Sequence, residues 1–226
     1  MKISQTLAAL LALSGIGSAQ AVQVVDLGAF TLSYDETTPS FGALSFSFSS
    51  GGGATGFAWK LSDSVKIVSF GAASSAVFAI PNFTISVNPG WALSGPVSAL
   101  LGNLVFNEVG GATTSATAVG SVSINSGPLL AFGGALARTV TTSVPGFVGG
   151  YYADTTTTPA GGFNTLSLSG ATLTLTAGGG TFASVIGQAQ NELKYSLIAN
   201  PVPEPESAAL LLAGLLTIGT LARRRG

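Results

Sequence analysis

Large apolar residues fall at every second position through much of this chain, a spacing that only extended backbone can use. In Leu44-Ser45-Phe46-Ser47-Phe48-Ser49 they alternate with serine, and Phe30, Leu32 and Tyr34 alternate with Thr31, Ser33 and Asp35. Phe83, Ile85 and Val87 repeat the pattern around Thr84 and Ser86. Successive side chains of a strand point to opposite faces, so this marks half-buried antiparallel strands with one wet face. It predicts Leu44, Phe46 and Phe48 buried, with Ser45, Ser47 and Ser49 outside. Leu166 and Leu168 share one parity and Leu173 and Leu175 the other. The Ser169-Gly170-Ala171 step must therefore absorb a phase shift, as a bulge or tight turn.

Further strands are expected at Gly56–Leu61, Val65–Phe70, Ala76–Ile80, Pro96–Phe106, Thr117–Asn125, Leu129–Val140 and Phe147–Tyr152, with others at Thr181–Ile186 and Lys194–Ile198. Gly51-Gly52-Gly53, Asn88-Pro89-Gly90, Gly110-Gly111, Thr155–Thr158 with Pro159, and Gly178-Gly179-Gly180 carry turn and loop chemistry between them. About ten short strands at such intervals argue for an all-β fold, an antiparallel β-sandwich of jelly-roll type. A β-solenoid is the alternative, but no fixed repeat period is present. Gln188 to Leu197 reads either as a short helix or as strand, and helix elsewhere in the mature region should stay under about a tenth.

Both termini carry different signals. Lys2, the apolar run Leu7 to Ile16 and the small-x-small site Ala19-Gln20-Ala21 form a signal peptide over residues 1–21, with cleavage beside Ala19 and Ala21. At the other end Val202-Pro203-Glu204-Pro205-Glu206 is followed by the apolar run Ser207 to Ala222 and then by Arg223, Arg224 and Arg225. Prolines block regular helix, the apolar run seeks a membrane, and the arginines hold its end on the cytoplasmic side. Its sixteen residues would span about 24 Å, short of a hydrocarbon core of about 30 Å, as suits a helix held briefly and then cut away. A permanent tail anchor is the alternative.

This tripartite tail, residues 201–226, resembles the sorting signal of the PEP-CTERM family of bacterial exported proteins. The same tail is similar to segments labelled as an ice-binding-protein C-terminal domain. The first resemblance implies export through signal peptidase and the export machinery, a transient stay in the inner membrane, and processing by an exosortase-like membrane protease at Val202, Pro203, Glu204 and Pro205. It implies a final place in the periplasm, on the outer surface or in extracellular matrix. The second label concerns the tail alone. The threonines between the termini form scattered clusters, such as Thr113-Thr114 and Thr155 to Thr158, instead of the constant spacing an ice-binding face requires.

Between the termini, residues 22–200 suffice for one domain with a sizeable core. They hold four bases, Lys60, Lys66, Arg138 and Lys194, against seven acids, Asp26, Asp35, Glu36, Asp63, Glu108, Asp154 and Glu192. No basic patch is available to grip a phosphate backbone, which argues against nucleic-acid partners. Charged residues are 8% of the chain against about 25% in ordinary proteins, so solvation falls to hydroxyls and backbone.

The chain has no Cys and no His. Disulfides, thiolate nucleophiles, imidazole ligands and His-dependent triads are all excluded, and no cofactor motif is present. Only carboxylate chemistry remains, and a glycosidase would need two of the seven acids about 5–10 Å apart across a groove. Asp35, Glu36 and Asp154 are oxygen ligands a calcium ion accepts, yet none lies in the alternating Asp/Asn pattern of a calcium loop. The triple glycines lack the Lys-Ser/Thr of a phosphate loop. Trp59, Trp91, Tyr151 and Tyr152 are candidates for a sugar-stacking platform, and equally for core packing; alternation lets only one of the two tyrosines face a core.

The sequence thus predicts a non-enzymatic, cofactor-free exported protein of the envelope or extracellular polysaccharide. A carbohydrate-binding module is the runner-up, and a carboxylate-dependent glycosidase comes third.

Overall fold

The structure, a computed structural model, describes residues 22–35, 40–47, 53–158, 162–188, 191–202, 210–213 and 215. Thirteen strands are present among them: β1 Val22–Asp26, β2 Phe30–Asp35, β3 Phe41–Ser47, β4 Gly53–Leu61, β5 Lys66–Ala79, β6 Phe83–Val87, β7 Trp91–Val109, β8 Thr113–Ile124, β9 Leu130–Ala135, β10 Ala137–Val144, β11 Phe147–Thr158, β12 Thr165–Ile186 and β13 Glu192–Pro201. All pairings are antiparallel, and together they form one branched sheet. Its main path runs β1-β2-β6-β12-β7-β13-β4-β3; β11 and then β10 leave from β7, β5 from β12, and β8 with β9 also from β12.

Two long strands make the branches possible. Residues 165–168 of β12 pair with β6 and residues 172–186 with β5, while its other side pairs first with β8 and then, over 182–186, with β7. Each exchange of neighbours falls at a break in register. The first lies between Ser169 and Thr172, where Gly170 has φ +59°, as the phase change of the leucines requires. The second lies at Gly178-Gly179-Gly180, which is an internal bend of β12 where a turn was expected. A Cβ on Gly180 would meet the Ala112 nitrogen at 2.3 Å and the Gly110 oxygen at 2.6 Å, and its φ is +56°. Glycine is needed because two backbones touch there, and the strand continues beyond it.

The sheet curls over its own apolar face. Phe30 of β2 and Phe83 of β6 pack against Phe57 and Trp59 of β4 and Tyr195 of β13, although β12 and β7 separate the two groups along the sheet. Ring centroids are 5.1 Å apart for Phe57–Phe83 and 4.8 Å for Phe83–Tyr195, at the edge-to-face angles aromatic pairs prefer. Around them Leu32, Ile85, Leu93, Leu104, Leu173 and Leu175 are wholly buried.

Several local expectations change. The serine-alternating run forms β3, but β3 pairs with β4 alone and carries a register shift between Phe41 and Leu44. Leu44 is half-buried and Phe46 is 37% exposed, because an edge strand beyond the curl has no opposite layer to cover it; Phe48 lies outside the described residues. Thr155–Thr158 extends β11 and pairs with Leu100 to Val97 instead of forming a loop. Residues 192–201 are strand, which settles the alternative at Gln188–Leu197 against helix. Leu129–Val140 divides at Leu136 into β9 and β10.

The signal segment with Ala19 and Ala21 lies outside the described residues, as do Pro203, Glu204, Pro205 and Arg223 to Arg225. Residues 210–213 and 215 are helical and exposed. Among the described residues no helix is long and apolar enough to cross a membrane. Pro201 pairs with Trp91, and the Val202 N–H donates to the Gly90 carbonyl at 2.8 Å, so the tail departs directly from the sheet.

Candidate functional site

Along β7 the buried parity changes at the register shift between Leu101 and Leu104; from Leu104 to Glu108 the even-numbered residues point into the core and the odd-numbered ones outward, and the two faces have different chemistry. On the inner face Leu104 and Phe106 are followed by Glu108, whose side chain is only 8% exposed. A carboxylate taken from water is costly unless it is paired and hydrogen-bonded. The backbone N–H and hydroxyl of Thr114 both donate to its Oε1 at 2.7 Å, and Arg138 Nη2 donates to Oε2 at 2.5 Å. The Arg138 guanidinium also lies 4.5 Å above the Phe106 ring. The Tyr152 hydroxyl donates to the Thr114 carbonyl at 2.6 Å. Burial raises the Tyr152 pKa above the ordinary tyrosine value, against the lowering effect of Thr114 and Arg138.

This network clasps β7, β8, β10 and β11. Both oxygens of Glu108 are engaged in it, Oε1 by two donors and Oε2 by one. Asp26 accepts from Asn88 Nδ2 at 2.7 Å and from the Gly28 N–H at 2.9 Å; Asp35 accepts from Asn82 Nδ2 at 3.0 Å. Those two acids tie turns together. Among the described residues no three acidic side chains group to hold a metal ion; of the oxygen ligands considered from the sequence, Glu36 lies outside the described residues.

The four aromatic candidates do not share a platform. Trp59 and Tyr152 are buried in the core, the first against Phe57 and Tyr195 and the second 5.0 Å from Phe106. Trp91 is half-buried against the core at the start of β7. Tyr151 lines a surface groove. The sequence could not separate them, because alternation gives a parity and not the identity of the covered face.

That groove, about 500 Å³, lies on the outer face. Asn103, Val105 and Asn107 of β7 supply its floor, in register with β11: Tyr151 opposes Val105, Gly149 opposes Asn107, and Phe147 opposes Val109. Gly149 is buried, and its lack of a side chain lets the Phe147 ring and the Asn107 amide close over it. A Cβ there would stand 3.0 Å from Phe147 Cζ and 3.5 Å from Asn107 Oδ1. Thr141 and Thr142 approach from β10, where a register shift after Val140 turns both toward the groove. Gln188 and Asn191 wall it from the β12–β13 connection, and Asn191 Nδ2 donates to the Asn103 carbonyl.

No acid or base lines the groove. It offers amides and hydroxyls that donate and accept, two aromatic rings and a glycine, a set that can hold a ligand by hydrogen bonds and ring contacts. Sequence reasoning missed Asn103 and Asn107. The available signal was a pair of amides at one parity within an otherwise apolar strand. No protein-family model, curated protein or solved structure matches this chain.

Proposed function

We propose that this chain is an exported, non-enzymatic protein of the cell envelope or extracellular polysaccharide, delivered by its PEP-CTERM-like tail and cut by an exosortase-like protease, and that its curled sheet is a jelly-roll-like sandwich. The observation that carries the non-enzymatic reading is Glu108. It is the most deeply buried acid among the described residues, and both its oxygens are engaged by Arg138 and Thr114 in a structural clasp. The export reading is supported by the residues of the two termini. Low charge, with serine and threonine on the strand surfaces, suits a protein packed among neutral polymers.

The outer groove favours a carbohydrate-binding role within that layer over a purely passive one. Purified protein incubated with neutral and acidic polysaccharides should release no reducing ends, and cell fractionation should recover it in the envelope or medium. Reducing-end release abolished by an acid-to-amide substitution would establish the glycosidase instead. Recovery in the cytoplasm would overturn export.

A further inference from the structure

Pairing registers continue the outer face that holds the groove across five strands, β10-β11-β7-β12-β5. Residues opposite one another in a ladder share a face, so the outer face can be read in rows. One row runs Val144, Phe147, Val109, Phe182, and ends on Phe70, whose ring lies 5.3 Å from that of Phe182. The next runs Thr142, Gly149, Asn107, Ser184, Val68. A third runs Tyr151, Val105, Ile186, Lys66.

The first row is an apolar ridge with an end, Phe70, that is 78% exposed. At about 4.8 Å between strands it is about 19 Å long. The middle row is polar over its first four strands, with two hydroxyls, a glycine and an amide, and ends on the exposed Val68. The rows on either side of it stand about 13 Å apart along the strands. Ser184 Oγ, in this middle row, is the one buried side-chain polar atom without a hydrogen-bond partner among the described residues.

We propose that this valley binds a neutral polysaccharide chain running across the strands, its ring C–H faces against Phe147 and Tyr151 and its hydroxyls on Asn103, Asn107 and Thr142. The inference deepens the carbohydrate-binding reading above and is independent of export. Sugars present apolar C–H patches beside groups that both donate and accept, and a side-chain amide answers both with one group. An acidic glycan finds no cation in the groove; Lys66 stands at the far end of the third row, and Arg138 projects from the opposite face to Glu108. An added peptide strand would need an open edge, whereas β11, β7 and β12 are hydrogen-bonded on both sides here.

The test is affinity electrophoresis of the full-length protein in non-denaturing gels containing hydroxyethylcellulose, xyloglucan, laminarin or glycogen, with alginate as the acidic comparison. At least one neutral polymer should retard the protein. Asn107→Asp, nearly isosteric, and Tyr151→Ala should each weaken that retardation at least tenfold, while circular dichroism shows an unchanged fold. Gly149→Leu, which pushes the Phe147 ring and the Asn107 amide out of place, should abolish it. No retardation by any of the four neutral polymers, retardation by alginate alone, or retardation indifferent to Asn107→Asp and Gly149→Leu would each overturn the proposal. Cell fractionation does not enter this result, so a failed export reading and a failed ligand reading remain distinct.

Discussion

Tyr151 and Tyr152 are neighbours in the chain and occupy opposite sides of the sheet: Tyr152 packs 5.0 Å from Phe106 within the core, and Tyr151 faces the amide-lined groove. The pleat of β11 divides them, and β7 answers in kind, with Phe106 and Glu108 inside and Val105 and Asn107 outside. One strand pair therefore carries both the buried carboxylate of the Glu108–Arg138 ion pair and the candidate binding surface.

The clasp makes the first prediction. Arg138→Ala removes the cation from a nearly buried carboxylate and should destabilise the protein by about 1–3 kcal/mol, less than for a wholly buried pair because Arg138 is partly exposed. Urea unfolding followed by fluorescence measures it. Glu108→Gln with Arg138→Ala should recover part of the loss, since no uncompensated charge is then left inside.

Stability should fall in alkali. Burial raises the pKa of Tyr195 and of Tyr152, so above the ordinary tyrosine value of about 10 the unfolded chain releases protons that the folded one retains. The stabilisation is complete below that value and is lost as the pH rises toward the folded-state values. Thermal melting between pH 8 and 11.5 should show a decline that Tyr195→Phe reduces. A decline unchanged in that variant would show that other groups control it.

Phe57 joins both sides of the curl, touching Phe30, Phe83, Trp59 and Tyr195. Phe57→Ala should cost about 3–5 kcal/mol in chemical unfolding. A cost below about 1 kcal/mol would mean that the two layers are not held by this cluster.

Two glycines with positive φ should respond differently to alanine. Gly111→Ala has open space and should cost about 1 kcal/mol for backbone strain alone. Gly180→Ala drives a methyl into the backbone of residues 109–112 and should cost at least twice as much, or prevent recovery of soluble protein.

If Val202 to Pro205 open a sorting signal, the protein recovered from its final location should lack Arg223, Arg224 and Arg225 by mass spectrometry. Deleting Val202 to Glu206 while keeping Ser207 to Gly226 preserves hydropathy and removes the motif, and should hold the protein in the inner membrane at full length. Arg223 retained on most of the wild-type protein would establish a permanent anchor.

The period-two pattern made the antiparallel strands and the phase change near Gly170 legible before any coordinates, because both depend on neighbours in the chain. Long-range pairing hid the rest. Gly178-Gly179-Gly180 has the composition of a turn, and only the approach of residues 109–112 makes it a bend within β12. Phe46 has the alternation of a core residue, and only the edge position of β3 leaves it uncovered. Of the aromatic candidates Tyr151 reaches a groove, while the amides beside it, Asn103 and Asn107, meet their companions from β10, β11 and the β12–β13 connection only after folding.

The position of β13 also imposes a timetable. The last strand of the sheet lies between β7 and β4, so the β3–β4 pair has no attachment to the main path until residues 192–201 are free to insert. A chain emerging from its N-terminus must therefore wait, with two ladder edges open and Phe57 and Trp59 unpaired with Tyr195, until nearly all of its strands have been delivered. Closure then comes as one late event. The residue that completes it, Pro201, is separated from Pro203 by Val202 alone, which places the end of folding and the start of the tail at the same point of the chain.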